Sequence, residues 1–228
     1  MVADFDWRGA EAEARRALAL SPRDPEMPYF VGYVLASTGR VQEAIALTRQ
    51  ALRDEPLKAN WYYWLALFQF GAHRLDEAEQ ASRKAIELQP TAAGYHEELV
   101  AILTLRGETR AALDAAQQET APFYRRLADA LVRQVGPDRS AADAALKILV
   151  EKDSGDAAYQ IAEVYALRGD ANATFQWLDR AWGIRDPGIS NLLYDPFILR
   201  FKDDPRFAAF CRKVGLPVPG EASAHAST

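Results

Sequence analysis

The stretch Tyr95-His96-Glu97-Glu98-Leu99-Val100 begins as a zinc site would. Two histidines four residues apart on a helix share one face, and a glutamate after the first can act as general base. Four residues after His96 stands Val100, so the second ligand is missing. The segment reads instead as a surface helix with Val100 in the core. His73 and His225 are the other histidines, and neither stands at ligand spacing from His96 or from Cys211. Cys211 is the only cysteine, so no internal disulfide can form. Arg212 and Lys213 beside it could lower a thiol pKa, but with no histidine nearby in sequence it is expected to be a buried residue. Arg168-Gly169-Asp170 spells an adhesion tripeptide and is expected in a turn between helices. No glycine-rich phosphate loop occurs, neither G-x-G-x-x-G nor G-x-x-x-x-G-K. Carboxylates stand as helix-face partners, as in Glu79 with Arg83, rather than paired for acid–base work. The reading is of a protein that is not an enzyme, with no catalytic residue, no cofactor and no metal.

The elements around these residues must then explain the chain. It has 228 residues and a formal net charge of -5. A nucleic-acid partner is not expected, since phosphate binding needs a surplus of Lys and Arg on one face. No apolar run approaches the roughly 18 residues of a membrane span, so no direct membrane insertion is expected. Charged residues through the first twenty positions exclude a signal-peptide core. The chain is expected in the cytoplasm, or in the periplasm if its parent is membrane-anchored.

A fixed period organises the sequence. Ala10, Ala44, Ala78 and Ala112 recur every 34 residues. Ala17, Ala51 and Ala85 keep that step, as do Pro22, Pro56 and Pro90. Val31, Leu65 and Leu99 repeat it, followed by Gly32, Ala66 and Val100. Gly39 and Gly107 stand two steps apart, with His73 midway.

This period, with two antiparallel helices per unit, resembles the tetratricopeptide repeat (TPR) family. In "GRVQEAIALTRQALRDEP", Gly39 matches the turn between helix A and helix B. Ala44 and Ala51 match the small residues at the helix crossing, and Pro56 closes the unit. A glycine can take the left-handed turn that ends a helix, and proline cannot continue one. His73 departs from the glycine pattern, which predicts a slightly different turn. The family's large residue late in helix B is replaced by Ala14, Thr48, Ser82 and Ala116, with Trp61, Trp64 and Phe68 expected to fill the space.

The resemblance implies an all-α TPR superhelix over residues 1–218. Its parts are a half-repeat at 5–22 and repeats at about 26–56, 58–90, 92–121, 122–153 and 155–187. A C-terminal cap follows at 189–216, then a disordered tail at 219–228. Helix pairs are expected at 26–38 with 41–54, 58–72 with 75–88, 92–106 with 109–120, and 122–135 with 138–152. The register slips after Gly107 and resumes with Ala162, Gly169 and Ala181. In the cap, Asp204 is the expected N-cap, Pro205 opens the helix and Gly215 follows its end. The cap is expected to seal the last apolar face. The half-repeat lacks its own helix A, which would cover Ala10, Ala14, Ala17 and Leu18. Either the chain is cut from a longer protein or this helix pairs with something, a second copy included. The opening "DFDWRGAEAEARRALALSP" and the closing "AYQIAEVYALRGD" to "GLP" resemble the C-terminal TPR regions of bacterial winged-helix regulators and class III nucleotide cyclases. No winged-helix or cyclase segment is present, so those activities are not assigned.

In such stacks the A helices line a concave groove. Positions two before and two after the Val31/Leu65/Leu99 column face inward: Tyr29 and Tyr33, Tyr63 and Leu67, Glu97 and Ala101, then Tyr159 and Glu163. Asn60, Phe70 and Asp156 lie along the same stripe. This predicts an aromatic groove with an acidic end that takes a peptide or helix. The alternative for the tyrosines is packing between repeats. The Lys/Asn/Arg carboxylate clamp of chaperone-tail TPR domains is not matched, so a basic or apolar segment fits better. The expected partner is a protein or peptide, with self-association or a small ligand as alternatives.

Overall fold

The computed structural model describes residues 5–20 and 27–221. Pro22 and residues 222–228 of the expected tail lie outside the described residues. The fold is all-α, with thirteen α-helices among the described residues. They are α1 (Trp7–Leu20), α2 (Met27–Ser37), α3 (Val41–Asp54), α4 (Ala59–Gly71), α5 (Leu75–Leu88), α6 (Tyr95–Arg106) and α7 (Thr109–Gln118). There follow α8 (Pro122–Gln134), α9 (Arg139–Asp153), α10 (Ala158–Arg168), α11 (Ala171–Gly183), the short α12 (Pro196–Leu199) and α13 (Pro205–Val214).

The alanine column explains the pairing. Ala44, Ala78, Ala112 and Ala181 have no exposed surface, because each sits where helix B crosses helix A. Small side chains there let the backbones approach, and the apolar stripe of each helix is buried against its neighbour. Gly32 shows how close the approach is: a Cβ on it would lie 3.3 Å from Thr48 Oγ1 and 3.5 Å from Phe68. Trp61 and Phe68 fill the adjoining space and are fully buried.

The turns repeat as well. Gly39, Gly107 and Gly169 all have φ near +80°, and each donates its N–H to the carbonyl three residues back. The next N–H in each case reaches the carbonyl five back, as in Arg40 to Leu35 at 2.8 Å. This is the Schellman C-cap. His73 does the same at φ 55°, with Arg74 N–H on Gln69 O at 2.8 Å. The turn expected to differ is therefore the same turn, held by a residue that carries a small backbone cost.

Two further expectations change. Helix α6 is not a surface helix: every residue from Tyr95 to Thr104 is buried, because α5, α7, α8 and α4 all pack on it. In α1, Trp7, Ala10 and Ala14 are buried against α2 and the C-terminal residues, Ala17 and Leu18 are half-buried, and Leu20 is 74% exposed. The Trp7 indole donates to the Val214 carbonyl at 2.7 Å, and Phe5 packs on Trp182 with ring centres 4.9 Å apart.

In α13 the caps stand as expected. Asp204 accepts the Arg206 N–H, Pro205 opens the helix, and Gly215 ends it at φ 77°. Cys211 is fully buried, and burial pushes its thiol up to about 11.

Candidate functional site

The A helices α2, α4, α6, α8 and α10 stand side by side, and their inner surfaces form the concave face. What lies on that face is the chain's own segment 187–199. It was expected to cover only the last helix. Instead this strap runs back across α10, α4 and α2.

Each contact of the strap has a local cause. Asp186 accepts the N–H groups of Tyr159 at 2.9 Å and Gly188 at 2.8 Å, so it ties the strap to the start of α10. Gly188 lies so close to Tyr159 that a Cβ would sit 2.6 Å from that side chain. The Tyr33 and Ser190 hydroxyls are 2.6 Å apart. Tyr194 meets Phe68 edge-on at 5.8 Å, and Phe197 meets Phe70 likewise at 5.6 Å. Asp195 caps α12 through Phe197 N–H at 2.8 Å and accepts the Tyr159 hydroxyl at 3.0 Å.

Beside the strap a cavity of about 390 Å³ remains. Tyr33, Tyr63, Trp64 and Tyr124 are among its walls. Tyr63 stacks on Tyr95 at 4.9 Å, and Trp64 is wedged against Tyr29 at 5.4 Å and Tyr33 at 5.1 Å. Four carboxyl groups line the same space: Glu97 and Glu98 from α6, Glu163 from α10 and Asp195 from the strap. Among the described residues, no Lys, Arg or His lines it.

Burial of like charges disfavours ionisation. Glu97 is pushed up to about 8 by burial and by the Glu119 and Asp195 charges. Glu98 goes well above the carboxylate range, through burial first and then Glu97 and Asp195. Glu163 and Asp195 interact directly and both are raised, burial being the largest cause for each. Asp195 receives the Tyr159 hydroxyl and two backbone N–H groups, which favour its charged form. Burial raises Tyr63 well above its ordinary value, and the charges of Glu98 and Glu97 add to this. Glu119 stands in contrast: it is buried but accepts three backbone N–H groups, from Gly94, Glu97 and Ala121.

Of the residues singled out from the sequence, Tyr33, Tyr63, Leu67, Phe70, Glu97, Ala101 and Glu163 line this cavity. Tyr29 adjoins it on Trp64. Asn60 and Asp156 are exposed and do not line it. Tyr159 has no exposed surface, because the strap covers it. The acidic residues do not form a separate end; they stand among the aromatics. Trp64, expected with Trp61 and Phe68 to fill space between helices, is half-buried and walls the cavity instead, and Glu98, Tyr124 and Asp195 are further lining residues that the register does not point to. Glu98 was hidden by reading His96-Glu97-Glu98 only as a failed zinc motif, and Asp195 by reading Asp195-Pro196 only as part of a cap.

The tetratricopeptide repeat family model matches residues 6–53 and 46–93, which span α1 to α5. The fold is a TPR solenoid. A crystallised TPR protein from Parabacteroides merdae ATCC 43184 is similar at TM-score 0.54 and 14% identity, over 92% of this chain and 86% of that one. The TPR protein YrrB, described as having an unusual peptide-binding site, compares at TM-score 0.48 and 17% identity, over 88% of this chain and 97% of that one. No curated protein matches the chain. Among the described residues of this TPR solenoid, no helix is long and apolar enough to cross a membrane.

Proposed function

We propose that this TPR solenoid is a non-enzymatic protein–protein interaction module that takes a basic peptide or helix against its concave face. The observation that carries this reading is the cavity beside the strap, walled by Tyr33, Tyr63 and Trp64 and lined by four carboxyl groups and, among the described residues, no cationic side chain. Tyrosine and tryptophan give large contact area with few rotatable bonds, and an acidic face selects basic partners. Residues 4–22 and 158–217 further support reading the chain as the TPR part of a bacterial signalling or transcription-regulatory protein, by their resemblance to such regions. Finding its coding sequence fused to an unrelated metabolic enzyme would count against that context.

A displayed peptide library tests the binding reading. Selected peptides should be rich in Lys and Arg, should bind more weakly in high salt, and should lose binding to a folded Tyr63→Ala variant. Peptides without basic enrichment, or unaffected by Tyr63→Ala, would move the interaction off this face.

Self-association through α1 is a second reading. Leu20, 74% exposed beside half-buried Leu18, supports it. Sedimentation velocity should then show a concentration-dependent mass that Leu20→Glu abolishes. A monomer at all concentrations would remove this reading.

A further inference from the structure

We infer that the cavity beside the strap is a binding site for an aliphatic ammonium ion, with Glu98 as its principal hydrogen-bond acceptor. The inference rests on the reading of the concave face as a binding face and names the chemistry it would take.

The case begins with an unmet acceptor. Glu98 is 4% exposed, lines the cavity, and its Oε1 has no hydrogen-bond partner. Buried polar atoms are nearly always paired, and an unpaired one costs roughly 1–3 kcal/mol or more. Glu119, buried nearby, shows how this chain satisfies a carboxylate when it serves the fold alone. Among the described residues Glu98 Oε1 has no such donor, which leaves it open to one from a ligand.

The walls define that donor. A cation suits the site, because burial and mutual repulsion disfavour the charged forms of Glu97, Glu98, Glu163 and Asp195, a cation would favour them, and among the described residues no Lys, Arg or His lines the space. It must carry N–H groups, which a quaternary ammonium lacks. Among the described residues no three His, Cys, Asp or Glu side chains are grouped to hold a metal ion. Tyr63 and Trp64 are among the walls, and aromatic rings attract a cation by their quadrupoles. Leu67, Leu127 and Leu131 contribute apolar wall, which suits methylene groups. A volume of about 390 Å³ lies at the small end of ligand cavities. The carboxyls come from two elements and the strap, Glu97 and Glu98 from α6, Glu163 from α10 and Asp195 from the strap, so a chain with an ammonium at each end has more than one acceptor to meet.

Isothermal titration calorimetry at pH 7.5 tests this with 1,6-diaminohexane, 1,6-hexanediol and Nα-acetyl-lysine methylamide. The diamine should bind and the diol should not. Glu98→Gln should weaken the diamine at least tenfold while melting no lower than wild type, since an amide of the same shape replaces a carboxyl whose charged form burial disfavours. A diamine tighter than the lysine mimic identifies a free diamine as the ligand. A lysine mimic equal or tighter identifies a lysine side chain from a partner. No binding by either amine, a diol that binds as well, or full affinity in Glu98→Gln overturns the inference. Diamine binding with failure of the library selection would leave the ammonium site standing and remove only the peptide reading; the reverse result would remove only the site.

Discussion

Along the seams between paired helices this protein places its smallest side chains, and across its concave face its largest. Ala44, Ala78 and Ala112 have almost no surface and no polar atom to satisfy. On the concave face, Tyr63 and Trp64 stand beside Glu97, Glu98 and Glu163 around a cavity. The seam tolerates no added volume. The concave face holds unfilled volume and buried carboxyl groups that helix pairing does not require. That difference separates the residues that make the fold from those available for binding.

The largest effect should come from pH. The folded state holds a proton on Glu97 up to about pH 8, whereas an unfolded glutamate releases it near 4.5. A carboxyl whose pKa is raised by folding contributes its stability below the unfolded value, and that contribution is lost as pH rises toward the folded one. At about 1.4 kcal/mol per tenfold change in proton affinity, Glu97 alone is worth up to about 5 kcal/mol between pH 4.5 and 8. Glu98, raised likewise, acts with the same sign. Chemical denaturation at intervals across that range should show falling stability, and Glu97→Gln should flatten the curve. A profile identical in wild type and variant would mean that the concave carboxylates are solvated like surface ones.

Phe197→Ala comes next. Phe197 is 4% exposed and anchors the strap on Phe70. Truncating a buried phenylalanine costs about 3–5 kcal/mol, and the loss should appear in the global melting curve. If the helices melt unchanged while residues 187–199 become protease-sensitive, the strap is a separable occupant of the face and not part of the core.

Ala78→Trp tests the seam itself. Overfilling a close crossing costs roughly 1–3 kcal/mol or more, and Leu20→Trp on the exposed end of α1 serves as control. Equal melting temperatures for the two would show that α4 and α5 do not meet as closely as the alanine column requires.

How much could be read in advance follows the same division. The seams were legible because their cause is local: the recurrence of Ala10, Ala44, Ala78 and Ala112 fixes pairs of consecutive helices, and the observed helices fall close to the expected ones. The inward-facing positions of α2, α4 and α6 were legible from the same register. The path of the strap was not. Its decisive contacts, such as Tyr33 with Ser190, join residues 157 positions apart, and no periodicity encodes such a distance. Pro187 to Leu199 reads equally well as an ordinary cap. The full burial of α6 was missed for a related reason: α8 packs back onto it past the ten-residue α7, a consequence of the register slip that composition alone does not reveal.

The hydrogen bond from Trp7 to Val214 has a consequence of another kind. Helical repeat arrays hold together by contacts between neighbours, so their ends can open while the middle persists. Here α1 touches α13 across 207 residues of sequence. With the two extremities joined, and the strap lying against α2, α4 and α10 at once, neither end can open without disturbing the other. The array should therefore lose its structure as one cooperative unit rather than peel from either end.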